Sequence, residues 1–135
     1  MKKRILMVGA VFFGGMVGCQ KPNSNQYSVV HHYTLKQKCP TLLVMKVGER
    51  LRFRAIENPA TGYHWVLSHP LNLFSTEQSF ISPENEDEIV GQEGEKTFYF
   101  KAEKPGQELI ELLHQRSWEE NEPPIQRWQC RIRVA

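Results

Sequence analysis

Three cysteines, Cys19, Cys39 and Cys130, and five histidines, His31, His32, His64, His69 and His114, are the side chains of this 135-residue chain best suited to act as nucleophile, base or metal ligand. A thiol nucleophile needs a base within hydrogen-bond reach, and no Cys–His spacing here supports such a pair. Cys130 lies on the apolar parity of Trp128, Cys130 and Ile132, where a buried or bridged sulfur belongs. His31 and His32 are adjacent, so in a strand they point to opposite faces, and no further ligand set completes a metal site. The glycine-flanked Gly91-Gln92-Glu93-Gly94 is followed by a strand pattern, whereas a phosphate loop opens a helix. The residues therefore call for no catalytic centre, no metal and no cofactor.

The cysteines suit other chemistry. Lys2, Lys3 and Arg4 precede an uncharged, largely apolar stretch of 14 residues, Ile5 to Gly18. That length fits the apolar core of an export signal and is too short to span a bilayer as a helix. Its end, Met16-Val17-Gly18-Cys19, resembles the lipobox of bacterial lipoproteins, with Met16 in place of the usual leucine. The resemblance implies acylation of Cys19, an exported chain and lipid anchorage in a bacterial envelope, on its periplasmic or surface side. An ordinary secretory signal cleaved nearby is the other reading. Gln20 to Gln26 is polar and reads as a tether. The expected organisation is a signal over 1–18, a tether over 19–32 and one folded domain over 33–135. In an oxidising space the even remainder, Cys39 and Cys130, invites a disulfide; two buried thiols are the alternative.

Charge excludes one class of partner. The chain has 17 Lys+Arg against 15 Asp+Glu, and without Lys2, Lys3 and Arg4 the balance is 14 to 15, a formal net charge of −1. No basic patch argues for nucleic acid.

The elements that must position any site read as strands. Residues 49–57 alternate, with Leu51, Phe53 and Ala55 on one face and Arg50, Arg52 and Arg54 on the other. Tyr63, Trp65 and Leu67 align in the same way, as do Phe98, Phe100 and Ala102. Residues 107–118 have helical propensity, yet Pro105-Gly106 precedes them and Ile110 and Leu112 fit the alternation, so they read as a strand. Residues 82–95 are acidic and rich in breakers, a long surface loop. About seven strands with no long helical pattern predict an all-β, antiparallel sandwich.

Three loops stand between these strands. In Asn58-Pro59-Ala60-Thr61-Gly62-Tyr63, proline fixes φ near −65°, glycine supplies a tight return, and the small tip at Ala60 and Thr61 faces outward. Arg116-Ser117-Trp118 ends a strand and opens an acidic loop, the composition of an interface anchor. Each is also explicable as a plain turn or connector. With Gly91–Gly94 they resemble, in order and spacing, the three loops of the chagasin-type inhibitors of papain-like cysteine proteases, over about Tyr33 to Val134. The resemblance implies an immunoglobulin-like sandwich whose three loops form one wedge. Thr61 would enter the protease cleft, shaped by Asn58, Pro59, Ala60, Gly62 and Tyr63. Gly91, Gln92, Glu93 and Gly94 would lie along one side, and Arg116, Ser117 and Trp118 would pack on the other. Inhibition would be reversible, competitive and non-covalent, by a monomer. Ala60, Glu93 and Ser117 depart from the family's hydroxyl residue, glycine and proline. A structural or adhesive envelope lipoprotein with the same sandwich and no protease target is the competing reading.

Overall fold

The computed structural model describes residues 9, 14–15, 29–82, 93–119 and 121–135. Cys19 lies outside the described residues, as do Gly91 and Gln92. Eight strands follow in order: β1 (Val30–Tyr33), β2 (Leu43–Met45), β3 (Arg50–Glu57), β4 (Tyr63–Leu67), β5 (Phe74–Ile81), β6 (Gly94–Ala102), β7 (Gly106–Arg116) and β8 (Gln126–Val134). They form two four-stranded sheets, β1-β3-β6-β5 and β2-β8-β7-β4. This is the all-β sandwich expected from the alternation, with eight strands among the described residues where about seven were expected. The long strands pair antiparallel, but β1 runs parallel to β3 and β2 parallel to β8.

The alternation of β3 explains its place. Leu51, Phe53 and Ala55 are buried while the arginines between them face out. In register, Leu51 opposes Phe100 and Phe53 opposes Phe98, so the two central strands of this sheet present one apolar face. The other sheet answers with Ile110 and Leu112 of β7 and Trp128, Cys130 and Ile132 of β8, all buried. Phe53 stacks on Trp128 at 4.6 Å between centroids and meets Trp65 edge-on at 5.4 Å. Each such large apolar side chain contributes about 1.5–3 kcal/mol on burial.

The segment between β1 and β2 crosses from one sheet to the other and closes an open edge, with Leu35 and Cys39 packed against the core. A disulfide joins Cys39 to Cys130, with Cα atoms 5.5 Å apart across 91 residues. β1 begins at Val30, so the expected tether boundary at 32 falls inside a strand; Tyr33 packs on the core and draws its neighbours into register with β3.

Candidate functional site

Register fixes which connections share an end. Glu57, the last residue of β3, opposes Gly94, the first of β6. Tyr63, the first residue of β4, opposes Arg116, the last of β7. The β3–β4, β5–β6 and β7–β8 connections therefore leave the same pole.

The β3–β4 connection orders itself. Asn58 is extended, at φ −114° and ψ 103°, as a residue before proline must be. Its Oδ1 accepts the Ala60 N–H at 3.1 Å. Pro59–Thr61 form one 3₁₀ turn, closed where the Gly62 N–H donates to the Pro59 carbonyl at 3.1 Å. Gly62 has φ +77°, in the left-handed region. The Thr61 hydroxyl donates to the Asn58 carbonyl at 2.7 Å and accepts the Tyr63 N–H at 3.3 Å. The Thr61 N–H also donates to the Asn58 carbonyl at 3.1 Å, so its hydroxyl and amide both serve to hold the loop. Pro59, Ala60 and Thr61 are exposed.

Arg116 ties this loop to the next. Its Nε donates to the Thr61 carbonyl at 2.9 Å, and its guanidinium lies 4.2 Å from the Tyr63 ring centroid and 5.8 Å from that of Trp118. Its Nη1 pairs with Glu119 at 3.2 Å. Trp118 lies over Gly62 so closely that a Cβ there would collide with Cη2 of the indole and stand 3.0 Å from Cζ2. Trp118 is nevertheless 67% exposed. Thr61 and Trp118 thus flank one another at a single pole.

Below the loops lies a polar footing that sequence reasoning passed over. Glu57 is buried, and its carboxylate accepts the Trp65 N–H at 2.6 Å, closing the base of the β3–β4 connection. His64 Nδ1 stands 3.6 Å from its other oxygen. The buried His114 ring stacks on Trp65 at 4.8 Å and meets Tyr63 edge-on at 5.7 Å. Its Nδ1 bonds Gln126 Oε1 at 3.2 Å. The signal for Glu57 was present: it continues the parity of Leu51, Phe53 and Ala55, so a carboxylate falls on the inward face.

Two expected contact residues are placed differently. Gly94 is buried in β6 beneath Phe80, where a Cβ would stand 2.6 Å from the Ile81 carbonyl oxygen, so the fold leaves no room there for a side chain. Arg116 is half-buried and donates from Nε to Thr61 and from Nη1 to Glu119, so it braces the loops. Glu93 and Ser117 are exposed. Cys39 and Cys130 are joined to each other, which withdraws both thiols from nucleophilic chemistry.

The family model described as Chagasin family peptidase inhibitor I42 matches residues 44–132. The chain belongs to the chagasin family of peptidase inhibitors. This is a family of inhibitors and not of enzymes. Amoebiasin-2 of Entamoeba histolytica is 28% identical over 103 residues, spanning 76% of this chain and 83% of that protein. The crystal structure of the cysteine protease inhibitor EhICP2 from Entamoeba histolytica superposes with a TM-score of 0.69 at 22% identity, covering 81% of this chain and 98% of the other. The solution structure of Amebosin gives a TM-score of 0.62 at 20% identity, covering 79% and 98%. Both likenesses support the chagasin-like sandwich.

Proposed function

We propose that this chagasin-family chain is a reversible, competitive inhibitor of papain-like cysteine proteases that fills the active-site cleft with the loops of one pole. The observation that carries the reading is the seating of the Trp118 indole over Gly62, which sets the Thr61 tip and an exposed aromatic anchor side by side. A loop already held by its own hydrogen bonds loses little entropy on docking. Asn58–Tyr63 supply the tip, Glu93 with Gly91 and Gln92 one flank, and Ser117 and Trp118 the other. An epitope of about 800 Å² on each partner supports nanomolar binding, about −12 kcal/mol.

The same reading makes the protein an exported lipoprotein. A signal over residues 1–18 is removed, and a monomer stays in the bacterial envelope through lipid, palmitate among it, on Cys19. The apolar run that stops at Cys19 and the polar stretch after it support this.

Titration of the protein against papain and a cathepsin-L-like protease tests the inhibitory role. Stoichiometric, reversible inhibition is expected, lost in Thr61→Arg and in Trp118→Ala while both variants stay folded. A wild type that inhibits neither enzyme would leave the pole without this role and favour a structural envelope protein.

A further inference from the structure

The pole opposite the loops has its own composition. Strand β1 runs parallel to β3, so the chain enters the fold at Val29 and Val30, beside Arg50 and away from Thr61. Four valines are exposed around this entry: Val29, Val30, Val44 and Val47. Cations lie between them. Arg50 opposes Lys101 on the outer face of one sheet, Val44 opposes Arg133 on the outer face of the other, and Lys46 precedes Val47 in the β2–β3 turn.

Five cations, Lys46, Arg50, Lys101, Lys104 and Arg133, stand against four carboxylates, Glu49, Glu77, Glu103 and Glu108, with Glu77 sharing a hollow with Arg50 and Lys101. Among the described residues, Lys46, Arg50, Lys101, Lys104 and Arg133 take part in no ion pair, although Arg54, Arg116 and Arg127 all do. Glu49 accepts the Lys46 N–H at 2.8 Å and faces His31 at 3.6 Å. Glu103 accepts the Ser75 hydroxyl at 3.0 Å, and Glu108 accepts the Asn72 N–H at 2.8 Å. These carboxylates keep their charge on neutral donors, so the surface holds a small excess of positive charge with apolar side chains between the charges, the pattern that settles at an anionic lipid–water interface.

We propose that this pole is a docking surface for an anionic lipid bilayer, and that it orients the inhibitor with its loops pointing away from the membrane. The inference rests on the lipid-anchor reading of Cys19. The nine residues between Cys19 and Val29 span at most about 35 Å when fully extended. The tether therefore keeps the basic pole at high effective concentration beside the bilayer, where even weak contacts settle orientation. β8 has nine residues, so the sandwich lifts the Thr61 tip about 30 Å above the pole that docks. A bilayer carrying acidic lipid attracts each cation near its surface, and removing one lowers partitioning about fivefold.

The test uses the purified full chain in vesicles of equal parts phosphatidylethanolamine and phosphatidylglycerol, against vesicles of phosphatidylcholine. Val47→Trp supplies a fluorescent probe, read as the difference from the parent protein. Its emission is expected to shift to the blue and to be quenched by brominated lipid in the anionic vesicles only. Lys46→Glu with Arg50→Glu and Arg133→Glu should abolish the shift and leave inhibition unchanged. A probe that reads as aqueous in the anionic vesicles, or a shift that survives charge reversal or appears equally in phosphatidylcholine, overturns the proposal. Mass spectrometry of the same protein reports lipid on Cys19 separately. If none is found, the anchor reading fails, and flotation of that protein with the anionic vesicles still decides on the basic pole: failure to float overturns it, and charge-dependent flotation supports it.

Discussion

Gly62→Ala tests whether the two outer loops act as one unit. Gly62 sits at φ +77°. An L-residue in the left-handed region costs about 1–2 kcal/mol. At the size of this domain a loss of 1 kcal/mol lowers Tm by about 4–8 °C. The added methyl does more than strain the backbone. It would occupy the space of Cη2 and crowd Cζ2 and Cζ3 of Trp118, at 3.0 and 3.1 Å, so the indole must leave its seat. A tryptophan anchor is worth about 2 kcal/mol or more at an interface, roughly 30-fold in affinity. Gly62→Ala is thus expected to raise the inhibition constant against papain by about 10- to 30-fold, close to the effect of Trp118→Ala. The double variant should be little worse than Trp118→Ala alone, because the methyl acts through an indole that is no longer there. The coupling in that cycle is expected at about 1–2 kcal/mol. Inhibition constants and thermal unfolding of all four proteins supply the measurement. If the two single effects multiply in the double variant, the loops contribute independently and the seating of Trp118 on Gly62 has no bearing on binding.

Four further outcomes follow from neighbouring geometry. Arg116→Ala, by removing the Nε bond to Thr61 and the cation over Tyr63, should weaken inhibition about tenfold with a smaller effect on stability; Arg116→Lys, which keeps a cation but not the fork, should recover only part. Glu57→Ala leaves the buried Trp65 N–H without an acceptor and should cost about 1–3 kcal/mol in urea unfolding, whereas Glu57→Gln keeps an acceptor and should cost less. Cys39→Ser with Cys130→Ser opens a 91-residue loop and should lose about 4–5 kcal/mol of stability by the chain-entropy account; a bridge from the β1–β2 connection to the middle of β8 should leave the inhibition constant of the folded protein unchanged. Ser117→Pro should raise stability by about 0.4–1 kcal/mol, since the Ser117 N–H donates to no backbone carbonyl among the described residues and Arg116 before it is extended; a fall in Tm would show that the turn needs a φ that proline cannot adopt.

Period-two alternation made the long strands legible, because a face buried against a second sheet must repeat every other residue. Leu51, Phe53 and Ala55 announce β3, and Trp128, Cys130 and Ile132 announce β8. The parallel placement of β1 and β2 was not legible: four and three residues carry too little pattern to name a partner. The Asn58–Tyr63 loop was readable because its constraints are local, from the proline, the asparagine bond and the positive φ at Gly62. The function of Arg116 was not, since its acceptor lies 55 residues away on another strand connection. The packing of Gly94 was hidden for a related reason. A glycine-flanked run reads as a loop, and only the fold brings Phe80 over the position that a side chain would need.

This division between local and long-range causes bears on Ala60 and Ser117, the positions where the loops depart from the family's hydroxyl residue and proline. Ala60 enters the turn only through its N–H, which donates to Asn58, so its side chain has no part in the shape of the tip. Proline at 117 would stiffen the chain before the tryptophan. Here the Glu119 N–H closes the turn onto the Arg116 carbonyl at 3.3 Å, and the Arg116–Glu119 pair holds the same four residues from outside. In this chain the loops are ordered by an arginine that touches both of them. An arginine used in this way also couples them: whatever moves the Thr61 carbonyl moves the guanidinium beneath Trp118. A protease that displaces one loop must therefore disturb the other, so affinity should respond to cleft width across both loops together.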